Sequence, residues 1–135
     1  MQQVAPMAPK SKTNGVSKKV LDPEAINAAA RALVPDITSE TTLEGIRQKV
    51  FMDRYSLKDA SGEPVEHSPE EMWQRVAGGI AMEEKTPTLQ RHWAQKFYES
   101  MTGFKFVPAG RILSGAGTGY EVTFFNCYVI PSPKD

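Results

Sequence analysis

Ser68-Pro69-Glu70-Glu71-Met72-Trp73-Gln74-Arg75-Val76-Ala77-Gly78-Gly79-Ile80-Ala81 is the stretch on which the fold turns. Serine before proline, with glutamate three residues after the serine, is a capping box, in which side chains satisfy amide groups that the first helical turn leaves open. Met72, Val76 and Ile80 follow at i, i+4 and i+8 with Trp73 beside them, which predicts a helix with a buried face. Gly78-Gly79 weakens its last turn, by roughly 1 kcal/mol per glycine relative to alanine.

Working outward, helix signals recur on both sides. Asp22-Pro23-Glu24 opens a helix with Ile26, Ala29, Ala30 and Leu33 on one face, and Pro35 ends it. Leu43, Ile46, Val50 and Leu57 keep a helical period across Leu43 to about Tyr55, with Phe51 widening the stripe. Ser61-Gly62-Glu63-Pro64 reads as a loop. Thr86-Pro87-Thr88 opens a fourth helix expected to bury Leu89, Trp93, Phe97 and Met101, with Gly103 placed to cap its end. Arg54, Arg75 and Arg91 are assigned to solvated helix faces, His67 to a loop and His92 to a helix surface beside Trp93.

Composition changes at Gly103, because half of the chain's ten glycines lie between Gly103 and Gly119. Phe104 to Val107 reads as a short extended run and Pro108 to Gly119 as a long loop. Glu121 to Ile130, rich in β-branched and aromatic residues, reads as a strand. Its nearly continuous apolar character calls for cover on both faces, yet no second long strand is present to pair with it. The chain stops at Pro131-Ser132-Pro133-Lys134-Asp135, so a truncated α+β protein is expected. Its parts are a disordered basic leader over 1–21, a helical domain over 22–103, and the start of a second domain over 104–135.

The 135 residues, 40% of them hydrophobic, suffice for one ordinary core. Sixteen basic and sixteen acidic side chains cancel, which gives no reason to seek nucleic acid or an anionic membrane. The leader carries Lys10, Lys12, Lys18 and Lys19 but neither the apolar run of a signal peptide nor an arginine-rich amphipathic presequence, so a cytoplasmic location is expected. Val122 to Pro131, the longest uncharged apolar-rich run, is about half a bilayer span. One cysteine closes no internal disulfide, and with two scattered histidines it makes no zinc site.

Two features could carry chemistry. Gly110 and Gly115 have P-loop spacing, but Ala116 and Gly117 stand where lysine and serine or threonine are needed, and Gly115, Gly117 and Gly119 give only G-x-G-x-G. A plain connecting loop fits that local pattern better than a phosphate cradle. In a strand, Cys127 would share a face with Thr123, Phe125 and Val129, opposite Asn126. A free cysteine among aromatics is more often a small core hydrophobe than a reactive thiol, and both readings stay open on local pattern.

Phe106-Val107-Pro108-Ala109-Gly110-Arg111-Ile112-Leu113-Ser114-Gly115-Ala116-Gly117-Thr118, followed by Val122-Thr123-Phe124-Phe125-Asn126-Cys127-Tyr128-Val129, closely resembles the opening of the catalytic barrel of adenosylcobalamin-dependent (class II) ribonucleotide reductases. Arg54 to Lys58 and Ser68 to Ala77 are similar, more loosely, to the helical N-terminal domain of that family, and the resemblance covers roughly residues 43 to 135. It implies that residues 104–135 begin a ten-stranded α/β barrel. There a thiyl radical, formed when the cobalt–carbon bond of the cofactor breaks, abstracts the ribose 3′-hydrogen; the 2′-hydroxyl then leaves, and two cysteines supply the electrons as they close a disulfide.

By the same resemblance Cys127 matches the first cysteine of that pair, Asn126 contacts substrate beside it, and the loop at Gly110 and Ser114 borders the nucleotide's phosphate end. The implied partners are a ribonucleoside di- or triphosphate and a dithiol reductant such as thioredoxin, in a parent enzyme compatible with a homodimer. The radical cysteine, the second redox cysteine and the cobalamin contacts would lie outside these residues, so the isolated chain is expected to be inactive. Two rivals remain: a noncatalytic helical interaction module, with Leu89, Trp93, Phe97 and Met101 docking on a partner, and the iron-dependent or glycyl-radical branches of the reductases. The Pro108-Ala109-Gly110-Arg111-Ile112-Leu113 form favours the cobalamin branch.

Overall fold

The computed structural model describes residues 22–37 and 41–130; the expected leader over 1–21 and the Pro131–Asp135 tail lie outside the described residues. Five α-helices follow in order: α1 Pro23–Ala32, α2 Ile46–Arg54, α3 Pro69–Ala81, α4 Pro87–Met101 and the short α5 Gly110–Gly115. A 3₁₀ turn, Thr102–Phe104, joins α4 to the segment before α5. No helix among the described residues is long and apolar enough to cross a membrane.

The caps read from the sequence form as expected. Asp22 accepts the Glu24 amide, Thr86 accepts that of Leu89, and at Ser68 both halves of the capping box are made, with the Glu71 carboxylate taking the Ser68 amide at 3.1 Å. Gly103 follows α4 in the left-handed region at φ 66°, the conformation a helix C-terminus asks of glycine.

Helix α3 is the axle: α1, α4 and α5 all pack on it, and its residues from Met72 to Gly78 are buried without a break. The predicted one-sided face is therefore an all-round burial, with only Ile80 emerging near its end. Val34, Phe51, Met72, Trp73, Val76, Ala94, Tyr98 and Met101 form the core with Leu113 and Ala116. The Gln74 side-chain amide donates to the Val34 carbonyl, tying the end of α1 to α3.

Two expected stripes sit differently. On α4 the buried residues are Ala94, Tyr98 and Met101, whereas Leu89 and Trp93 are exposed and Trp93 stacks on Phe97 at 5.7 Å. On α2 the buried contact is Phe51, flanked by Met52 and Tyr55, while Ile46 is 73% exposed. In both cases the periodicity was right for a helix, but tertiary packing, on α3 in the case of α4, chose which edge of the apolar arc to cover.

Gly78-Gly79, costly to an isolated helix, is where α3 admits its neighbours. A Cβ on Gly78 would overlap the Ala30 carbonyl, and one on Gly79 would overlap the Gly117 backbone. Gly78→Ala is therefore expected to lose about 1–3 kcal/mol despite alanine's better helix propensity, because α1 must move off α3. A urea-denaturation midpoint at or above that of the parent chain would show that the helices separate freely.

Residues 104–130 differ most from expectation. Gly110–Gly115 is helical where a continuous loop was expected. Glu121 to Ile130 takes no regular secondary structure, and the described residues contain no strand ladder, only an isolated bridge between Lys58 and Pro64. A strand is completed by hydrogen bonds to a neighbour, and the described residues contain no second strand to provide them. The chain also bends at Asn126, and the Tyr128 hydroxyl donates to Thr123 Oγ1 at 3.0 Å, so the simple alternation that separated those two residues does not hold.

Candidate functional site

The glycine-rich segment is built onto the helical domain by a buried ionic network. Arg75, predicted on a solvated face, is wholly buried, whereas Arg54 and Arg91 are exposed as expected. Its Nε and Nη2 donate to the two oxygens of Glu66, at 2.6 and 3.0 Å, a bidentate pairing. Nη1 donates to the Ala116 carbonyl at 2.6 Å and Nη2 to that of Leu113 at 3.0 Å.

Those carbonyls belong to the C-terminal end of α5, where no further turn of helix supplies a donor. A cation there also suits the helix dipole. Helix α5 has six residues, glycine at both ends and no side-chain N-cap bond, so its own sequence is a weak reason to be helical. It forms because Leu113 is buried in the core, Ile112 packs against the core, and Arg75 holds its C-terminal carbonyls.

Glu66 is as buried as its partner and uses both oxygens. Besides Arg75 it accepts from Arg31 Nη2 at 2.9 Å and from the Leu57 amide at 3.0 Å. Arg31 reaches back to Asn27 at 3.0 Å, and the Asn27 amide donates to the Gly117 carbonyl at 3.3 Å. Helix α1, the turn between α2 and α3, α3 and the glycine segment thus meet at one carboxylate. Gly117 has φ 71° and lies against the Arg75 backbone, where a side chain would collide.

Of the residues singled out from the sequence, Gly110 and Ser114 lie exposed on α5, with the Tyr55 ring beside Gly110. Ser114 Oγ donates to the Arg111 carbonyl at 3.5 Å. Asn126 and Cys127 lie exposed in the 121–130 segment, and the Cys127 thiol is free. Val122 and Phe124 approach Gly115, within 2.7 and 3.4 Å of where its Cβ would stand, so that segment starts against the end of α5. Two clefts, of about 850 and 660 Å³, flank this junction, and none of those four residues is in either wall.

In the larger cleft Asp59 is held below the ordinary carboxylate value by the Ser61 hydroxyl and then by the Glu63 amide, as befits a turn that caps itself. His67 and His92 are exposed, the latter edge-on to Trp93 at 5.4 Å. Among the described residues no group of three or more His, Cys, Asp and Glu side chains is gathered as a metal site.

Sequence reasoning missed Glu66 and Arg75 together. The available signal was that Arg75 stands between Met72 and Val76 on a helix otherwise apolar on that side; nothing local marks Glu66. A family model described as ribonucleotide reductase, all-alpha domain, matches residues 42–121. That span runs from before α2 through α5 to Glu121, across the boundary expected at Gly103. No curated protein and no solved structure matches the chain.

Proposed function

The chain belongs to the ribonucleotide reductase all-alpha domain family, and on that premise we propose that it serves ribonucleotide reduction by presenting the Gly110–Ser114 face and Cys127 to a ribonucleotide. The observation that carries this is the seating of α5 on the helical domain through Arg75, which leaves Gly110 and Ser114 open to solvent just before the segment bearing a free thiol. In this role Gly110 and Ser114 border the phosphates of a ribonucleoside di- or triphosphate, Asn126 contacts the substrate, and Cys127 donates electrons at the ribose 2′ carbon. A dithiol such as thioredoxin would then reduce the disulfide that results.

Val129 and Ile130 are 102% and 84% exposed, and Phe124, Phe125 and Tyr128 beside them are exposed too. Apolar residues so displayed want cover, which supports their reading as the first strand of a larger sheet such as the reductase barrel. Adenosylcobalamin is proposed as the radical source on the Pro108–Leu113 sequence form alone. No residue of this chain is assigned to hold it, and the chemistry derived for the chain stops at Cys127. A second reading, a helical interaction module, is favoured by one observation, the exposure of Leu89 and Trp93 on α4.

The functional reading expects no deoxynucleotide from the purified 135-residue chain supplied with adenosylcobalamin and dithiothreitol, because one thiol cannot both carry the radical and form the disulfide. Measurable product would overturn the two-cysteine role given to Cys127.

A further inference from the structure

We propose that Arg75 is a positioning residue for nucleotide binding, fixing the orientation in which α5 offers Gly110 and Ser114. The inference rests on the functional reading for the identity of the ligand. Arg75 itself is wholly buried. It acts through the Leu113 and Ala116 carbonyls, which it holds at 3.0 and 2.6 Å, while the Glu66 carboxylate keeps its guanidinium in plane for both.

Five acceptors, the Tyr55 carbonyl at 3.4 Å among them, define the guanidinium's place, so α5 is set against α3 by one rigid group. The Asn27 bond to the Gly117 carbonyl and the close approach of Gly79 to Gly117 steady the segment just beyond. Lysine at this position would keep a charge for Glu66. Its donors radiate from a single atom, however, and cannot serve the carboxylate in bidentate fashion and both carbonyls together.

The test compares Arg75→Lys and the pair Arg75→Met with Glu66→Met, using amide hydrogen exchange on this chain and steady-state kinetics on the reductase containing it. Arg75→Lys is expected to keep protection in α3 and α4, to speed exchange at Leu113 and Ala116, and to raise the ribonucleotide KM about 10- to 100-fold with kcat changed less than about threefold. The double-methionine variant, relieved of buried charge, is expected to recover the melting temperature but neither the α5 protection nor the KM.

Recovery of KM together with melting temperature in the double variant would make Arg75 a packing residue and overturn the proposal. So would an Arg75→Lys enzyme with parental KM and parental α5 exchange. If Arg75→Lys does not fold, the double variant decides alone. Failure of the functional reading is distinct, since it appears in the unsubstituted enzyme as no ribonucleotide binding or turnover at all.

Discussion

Replacing Glu66 by alanine is expected to destabilise the chain by about 3–5 kcal/mol, because it leaves the Arg75 guanidinium buried without its counter-charge. Few single substitutions in this fold should cost more. Glu66 is fully buried and receives Arg75 twice, Arg31 once and the Leu57 amide once, so its removal orphans donors on three separate elements. Urea unfolding followed by far-ultraviolet circular dichroism measures the loss. A loss under about 1 kcal/mol, the range of solvent-exposed ion pairs, would mean that water reaches the network and that its burial does not govern stability. Arg31→Met is the useful comparison, since that side chain is 22% exposed and its loss leaves the Arg75 pairing intact.

The second large effect is chemical. Cys127→Ser, made in the reductase that contains this chain, is expected to bring turnover with dithiol reductants down to assay background while ribonucleotide still binds. Serine nearly matches cysteine in volume but cannot donate electrons through a disulfide. Because Cys127 is exposed here, the same substitution in the 135-residue chain should leave its melting temperature unchanged. A core-packing cysteine would show the opposite pattern, with about 1–3 kcal/mol lost to an unpaired buried hydroxyl and reduction of the ribose intact. Normal turnover by the Cys127→Ser enzyme would end the redox assignment.

Much of the helical domain was open to local reading. The caps at Asp22, Ser68 and Thr86 form because each depends on a side chain and amides at most three residues away, and the proline after each cap presets the first turn whatever packs later. Periodicity located the four longer helices but misjudged their buried edges. An apolar arc wider than its contact leaves the choice to the neighbour, and α3 selected Ala94 and Tyr98 over Leu89 and Trp93.

What the amino-acid order determined by itself, then, is where α1, α3 and α4 begin, and that the glycine-rich run and Cys127 follow them; α2, expected from Leu43, begins at Ile46. Tertiary structure alone decided the pairing of Glu66 with Arg75, the helical state of Gly110–Gly115, and the use of Gly78-Gly79 as a place of close approach. Each of these depends on groups far apart in sequence: Arg75 stands 41 residues from the Ala116 carbonyl it holds, and Gly78 faces the Ala30 carbonyl. Local propensity gives α5 too little reason to fold, and burial of Leu113 together with a buried cation on its last carbonyls makes the helix the lower-energy state. The same reason leaves residues 121–130 without strand structure, since β propensity becomes a strand only when a second backbone accepts its hydrogen bonds.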